Sequence, residues 1–123
     1  MPPHIVIVED DEALSYILGC TFELAGYLVT VFTDANAAWD SLKEGHLASL
    51  LLTDIHFPPP QPNGLALAAH ARQRNTDLPV IFLTGHPELA LLVEQRHRGP
   101  VFLKPLNMHA VEECVRDLVP IIT

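Results

Sequence analysis

A doubly wound α/β fold on an all-parallel five-stranded sheet is predicted by this sequence, on three observations. Five short runs rich in β-branched residues and leucine alternate with five stretches of helical periodicity from end to end. The runs are apolar throughout rather than alternating, as strands covered on both faces must be. Each run is separated from the next by a helix-length crossover, and right-handed crossovers lay their helices over one face or the other.

The elements follow in order. "HIVIV" (His4 to Val8) reads as a buried strand, after which Leu14, Ile17, Leu18, Thr21 and Leu24 recur at helical spacing until Gly26 supplies a stop. "LVTVFT" is the second strand, and Asp34 can cap a short helix running through Leu42. "LLLTD" is the third strand, and Asn63 can cap "GLALAAHARQR". "LPVIFLT" is the fourth, followed by a helix from about Pro87 to Arg98 and a short fifth strand, "PVFL". Asn107 opens a last helix with Val111, Cys114, Val115 and Leu118 on one face.

The 123 residues are about the length of one domain, expected to span 1–123, and 49% of them are hydrophobic, ample for one core. No apolar run approaches the roughly 20 residues of a membrane span, and "MPPH" opens no secretory signal. The cytoplasm is the default expectation, with no membrane partner. Cys20 and Cys114 have neither redox-pair nor zinc-knuckle spacing and read as packing residues. Fifteen acidic against seven basic side chains give a net charge of −8, so no direct nucleic-acid partner is expected, since neutralising phosphates takes a basic face.

In doubly wound folds ligands sit beyond the carboxyl ends of the strands, where the winding reverses. The first strand ends in Glu9, Asp10 and Asp11, the third in Asp54, the fourth in Thr84 and the fifth in Lys104. Carboxylates brought within about 5 Å repel by roughly 3 kcal/mol per pair at an effective dielectric near 20. Lys104 offsets one charge, and the remaining deficit calls for a hard divalent cation with oxygen ligands, Mg²⁺ being the natural choice. The plainer reading of Glu9 to Glu12 is a helix N-terminus favouring negative charge; Asp54, Thr84 and Lys104, each ending its own strand, argue for a site.

The stretches "IVIVEDDEAL", "LLLTDI", "VIFLTGH" and "VFLKPL" together resemble the receiver domain of two-component response regulators over essentially the whole chain. That resemblance implies the strand order 2-1-3-4-5 of a flavodoxin-like three-layer sandwich. It implies Asp54 as phosphoacceptor, Asp10, Asp54 and the His56 backbone carbonyl as Mg²⁺ ligands, and Glu9 acting through a coordinated water. It further implies Thr84 and Lys104 on the other phosphoryl oxygens, room at Gly85 for the incoming group, and a cis peptide before Pro105. Its partners would be a histidine kinase or phosphotransfer protein and a downstream target or output domain. A homodimer through the fourth helix, fifth strand and fifth helix is a further expectation.

Three features depart from the family pattern. Gly64 stands ten residues after Asp54, two more than usual, across a loop holding Pro58, Pro59, Pro60 and Pro62. Lys104 follows Thr84 by only twenty, two fewer than usual, which points to trimming around the fourth helix. Val101 occupies the position of the switching aromatic, and Phe102 should face the other side of its strand. His56 and His86 fall near the crevice, where nitrogen ligation of a transition metal is an alternative to lining its mouth. The Pro87 to Arg98 helix carries more apolar residues than one buried stripe requires. Signalling rather than enzyme activity is expected. The alternatives are a pseudo-receiver that is never phosphorylated and a small aspartyl-phosphate hydrolase, the latter disfavoured because His56 stands where such enzymes place a second aspartate.

Overall fold

The computed structural model describes residues 2–43 and 48–122. In chain order these form β1 (His4–Val8), α1 (Glu12–Leu24), β2 (Leu28–Phe32), α2 (Ala35–Lys43), β3 (Leu50–Asp54), α3 (Gly64–Arg72), β4 (Val80–Thr84), α4 (Pro87–His97), β5 (Val101–Leu103) and α5 (Met108–Leu118). All strand pairs are parallel, in the order β2-β1-β3-β4-β5. The winding therefore reverses between β1 and β3, and the crevice between their carboxyl ends is the switch point of the sheet.

The pleat sorts the apolar residues between two layers. Ile5 and Ile7 of β1 face one side, with Leu18 and Phe22 of α1 and Val111 and Val115 of α5. Val6 and Val8 face the other, with Ala35 and Ala38 of α2, Leu67 and Ala71 of α3 and Val93 of α4. β1, β3 and β4 are buried along almost their whole length, as all-apolar runs require. Val101 packs in the layer of α2 to α4 and Phe102 in that of α1 and α5, so the two occupy opposite faces of β5 as expected.

The caps expected at Asn63, Asn107 and Asp34 are present, and Asp11 adds one not expected from the sequence. Asp11, Asn63 and Asn107 accept hydrogen bonds from the amides of Leu14, Ala66 and Ala110 at 2.9, 2.8 and 3.1 Å. Asp34 accepts from the Asn36 amide at 2.8 Å. α1 ends at Gly26 with φ 104°, where the amides of Gly26 and Tyr27 reach back to the carbonyls of Glu23 and Phe22.

The inner face of α1 needs correction. Ile17 and Leu24 are exposed, and the buried set is Ser15, Leu18, Gly19 and Phe22. The helix lies close against β2 on small residues, since a Cβ on Gly19 would sit 3.1 Å from Val31. Close approach decides the face here, and apolar side chains are left outside. Cys20 and Cys114 are free and half-buried. Among the described residues, no helix is long and apolar enough to cross a membrane.

Candidate functional site

Glu9 continues the β1 ladder by one residue, donating its amide to the Phe32 carbonyl at 3.0 Å, and its side chain is fully buried. Asp54 ends β3 and is 6% exposed. Lys104, just past β5, is tied to the tip of β4 by its amide, which donates to the Thr84 carbonyl at 2.9 Å. From there its side chain crosses the strand ends, placing Nζ 3.0 Å from Asp54 Oδ2 and 2.5 Å from Glu9 Oε1. The two carboxylates on either side of the switch point are thus bridged by one ammonium. The Lys104–Pro105 peptide is cis, as the resemblance implied.

Burial dominates the electrostatics of Glu9. Loss of solvent raises its pKa from 4.5 to about 7 against the pull of Lys104, and the neighbouring Asp54 charge pushes the same way. For Lys104, burial opposes the charged form, but the hydrogen bonds and charges of Glu9 and Asp54 prevail and its pKa is raised. Glu9 Oε1 is buried against the Lys104 ammonium at 2.5 Å, and Glu9 Oε2 accepts from the Asp11 amide at 3.4 Å, so the carboxylate is held at both oxygens.

Asp10 is exposed at the rim, and carboxylate oxygens of Glu9, Asp10 and Asp54 lie within 4.8 Å of one another. Three carboxylates against one ammonium, offering only oxygen donors, suit a hard divalent cation of the Mg²⁺ type. The acidic run divides between two roles: Asp11 caps α1 and Glu12 lies in its first turn, while Glu9 and Asp10 belong to the crevice.

Thr84 is buried one residue beyond the Asp54 and Leu83 register pair, and its hydroxyl oxygen accepts from the His86 amide at 3.0 Å. A Cβ on Gly85 would meet nothing within 4 Å, so the expected space is present. The His56 amide is 3.4 Å from Asp54 Oδ1. The rings of His56 and His86 meet edge to face with centroids 4.6 Å apart, and His86 Nδ1 lies 3.3 Å from Glu88 Oε1. The two rings pack on each other, and the metal-suited cluster among the described residues is the carboxylate one, Glu9, Asp10 and Asp54.

Gly64 has a part that spacing does not reveal. Its amide donates to the Ile55 carbonyl at 2.8 Å, and a Cβ there would lie 2.1 Å from the Asp54 carbonyl oxygen. The start of α3 thus presses on the backbone that aims Asp54. The glycine was visible in the sequence, but its contact joins two backbones and leaves no pattern of residue types.

The profile of the response regulator receiver domain matches residues 5–116. The response regulator receiver protein CpdR of Brucella abortus is 39% identical over 72% of this chain and 71% of its own. The transcriptional regulatory protein FixJ of Bradyrhizobium diazoefficiens is 31% identical over 95% of this chain and 58% of its own. A crystal structure of a response regulator receiver protein from Sinorhizobium medicae superposes with a TM-score of 0.86 at 26% identity, covering 95% of this chain and 94% of that one. The response regulator TrrA of Thermotoga maritima, solved in complex with Mg²⁺ and beryllofluoride, shares the fold at a TM-score of 0.80 and 23% identity, over 95% and 99% of the two chains. Relatives named as transcriptional regulators do not fit the expectation of no direct nucleic-acid partner. That expectation came from the charge of these 123 residues, and the chain spans only 58% of FixJ and 20% of the Rhizobium meliloti regulator DctD.

Proposed function

The chain belongs to the receiver domain family of response regulators, and from that premise we propose that residues 1–123 act as a phosphoacceptor in a cytoplasmic phosphorelay. An Asp54 side-chain oxygen attacks phosphorus, an O–P bond forms, and the P–N bond to a kinase or phosphotransfer histidine breaks. With a small acyl phosphate the bond broken is P–O, and the leaving carboxylate keeps the electron pair. The observation that carries this reading is the Lys104 ammonium held 3.0 Å from Asp54 Oδ2 at the switch point of the sheet.

Each residue then has a task. Lys104 orients Asp54 beforehand and meets a phosphoryl oxygen as charge develops. Thr84 turns its hydroxyl from the His86 amide to another such oxygen, and amides following Asp54 and Thr84 complete the cradle. Asp10, Asp54 and the His56 carbonyl would hold Mg²⁺, with Glu9 acting through a coordinated water. The bound ion offsets negative charge on the transferring group. The downstream event is a population shift in the face made by α4, β5 and α5, read by a target or output domain or by a second copy of the chain.

Acetyl phosphate with and without Mg²⁺, followed by intact mass, tests the proposal. Expected is one phosphoryl addition that requires both the metal and Asp54, and is lost in Asp54→Asn. Labelling of Asp54→Asn at another side chain refutes the assignment. An unlabelled wild type whose amides also ignore beryllofluoride marks a pseudo-receiver, whereas rapid multiple turnover of acetyl phosphate marks a hydrolase.

A further inference from the structure

A cleft of about 220 Å³ separates α3 from α4, beginning one residue after Asp54 at Ile55. Its cause is in the sequence. α3 reads "GLALAAHAR", four alanines and a glycine among nine residues, and across the cleft it offers Leu65 as its one large apolar side chain. α4 faces it with Leu89, Leu92, Val93 and Arg96, at i, i+3, i+4 and i+7, which is one stripe of a helix. A short-sided helix against a leucine-rich one leaves a gap, and Leu92 stays 44% exposed beside it. This accounts for part of the apolar surplus on α4.

The rim carries the Arg96 guanidinium, and among the described residues no carboxylate lines the cleft. In a chain of 15 acidic and 7 basic side chains, that is the reverse of the overall balance. An apolar floor with a cationic edge selects an amphiphilic anion, with its apolar part between the helices and its charge at Arg96. The volume is below the roughly 300 Å³ at which drug-sized pockets begin, so the occupant is small.

We propose that the α3–α4 cleft is a binding site for a small apolar carboxylate of about the size of benzoate. Recognition needs both halves of the molecule: desolvation of the ring against Ile55, Leu65, Leu89 and Val93, and a charge-assisted contact at the Arg96 guanidinium. The cleft adjoins the carboxylate crevice at Ile55 and His56, and the crevice itself, lined by carboxylates, would repel such a ligand.

Amide spectra of the full chain titrated with sodium benzoate, benzyl alcohol and sodium acetate test this without a phosphodonor, so the outcome is independent of whether Asp54 is phosphorylated. Expected are saturating shifts with benzoate at Ile55, Asn63, Leu65, Leu89 and Val93, with a dissociation constant on the order of 1 mM. Benzyl alcohol, which lacks the charge, and acetate, which lacks the ring, bind at least about tenfold more weakly. Arg96→Gln, at an exposed position, weakens benzoate to the level of benzyl alcohol and leaves the rest of the spectrum in place. Absence of saturation at about ten times the expected constant, equal binding of benzyl alcohol, or shifts centred on Lys104 and Asp54 would each overturn the proposal.

Discussion

At the scale of single residues, the site depends on one small residue as much as on its charged ones. Gly64→Ala places a carbon 2.1 Å from the Asp54 carbonyl oxygen, a backbone atom that cannot rotate away. The strand end or the α3 start must shift, at about 1 to 3 kcal/mol. Urea denaturation should show that loss, and acetyl phosphate labelling should slow because Asp54 is re-aimed. A variant with wild-type stability and labelling would show that the two backbones are not in tight contact. Asp54, Thr84 and Lys104 were legible because each is the polar residue that breaks an apolar run, and strand ends converge in this architecture. Gly64 was not, since glycine has many uses in a loop. The inner face of α1 differs for a related reason: counting apolar side chains selects Ile17 and Leu24 beside Leu18, whereas the buried face is Ser15, Leu18, Gly19 and Phe22.

At the scale of elements, the two departures in spacing lie in connections that the fold ties down. The proline loop after β3 buries Phe57 and extends Gln61 to the start of α2, where Gln61 Oε1 accepts from the Ala35 amide at 2.8 Å. Ala35 is the first residue of that helix, and its N–H would otherwise lack a partner in the helix. Gln61→Ala should therefore speed hydrogen exchange at Ala35 about tenfold or more while leaving Val6 and Leu51 in the sheet unchanged; unchanged exchange at Ala35 would count against a tethered loop. Before Lys104 the chain passes from α4 to β5 through a three-residue link, Arg98 to Pro100, where a Cβ on Gly99 would lie 2.3 Å from the Val80 carbonyl. Arg72 of α3 holds this link, donating to the carbonyls of Leu78, His97 and Arg98 at 3.0, 2.6 and 2.8 Å. Arg72→Ala should cost about 2 kcal/mol, and Arg72→Lys should recover little, because an ammonium lacks the planar fork that spans three carbonyls. Denaturation midpoints within error of wild type for both variants would contradict the clamp. The sequence marked both departures by length alone, and side-chain tethers between distant elements carry no periodic signal.

At the scale of the whole molecule, the buried carboxylate links folding to pH and to metal. Burial raises the Glu9 pKa from 4.5 to about 7, so the folded chain binds this proton more tightly than the unfolded chain does. The resulting stability is fully present below about 4.5, declines as pH rises between the two values, and is gone above about 7. A rise of that size corresponds to a contribution on the order of 3 kcal/mol. Lys104 acts at the other end of the scale, its raised pKa adding stability that persists until high pH. In EDTA, the stability of wild type relative to Glu9→Gln should fall across the window from 4.5 to 7, because the amide carries no proton to lose. Added Mg²⁺ should stabilise wild type more at pH 7.5 than at pH 5, since its carboxylate ligands must be ionised and each tenfold excess over the dissociation constant contributes about 1.4 kcal/mol. Parallel pH profiles for the two proteins in EDTA, or equal stabilisation by Mg²⁺ at both pH values, would show that the crevice does not exchange a proton for a cation.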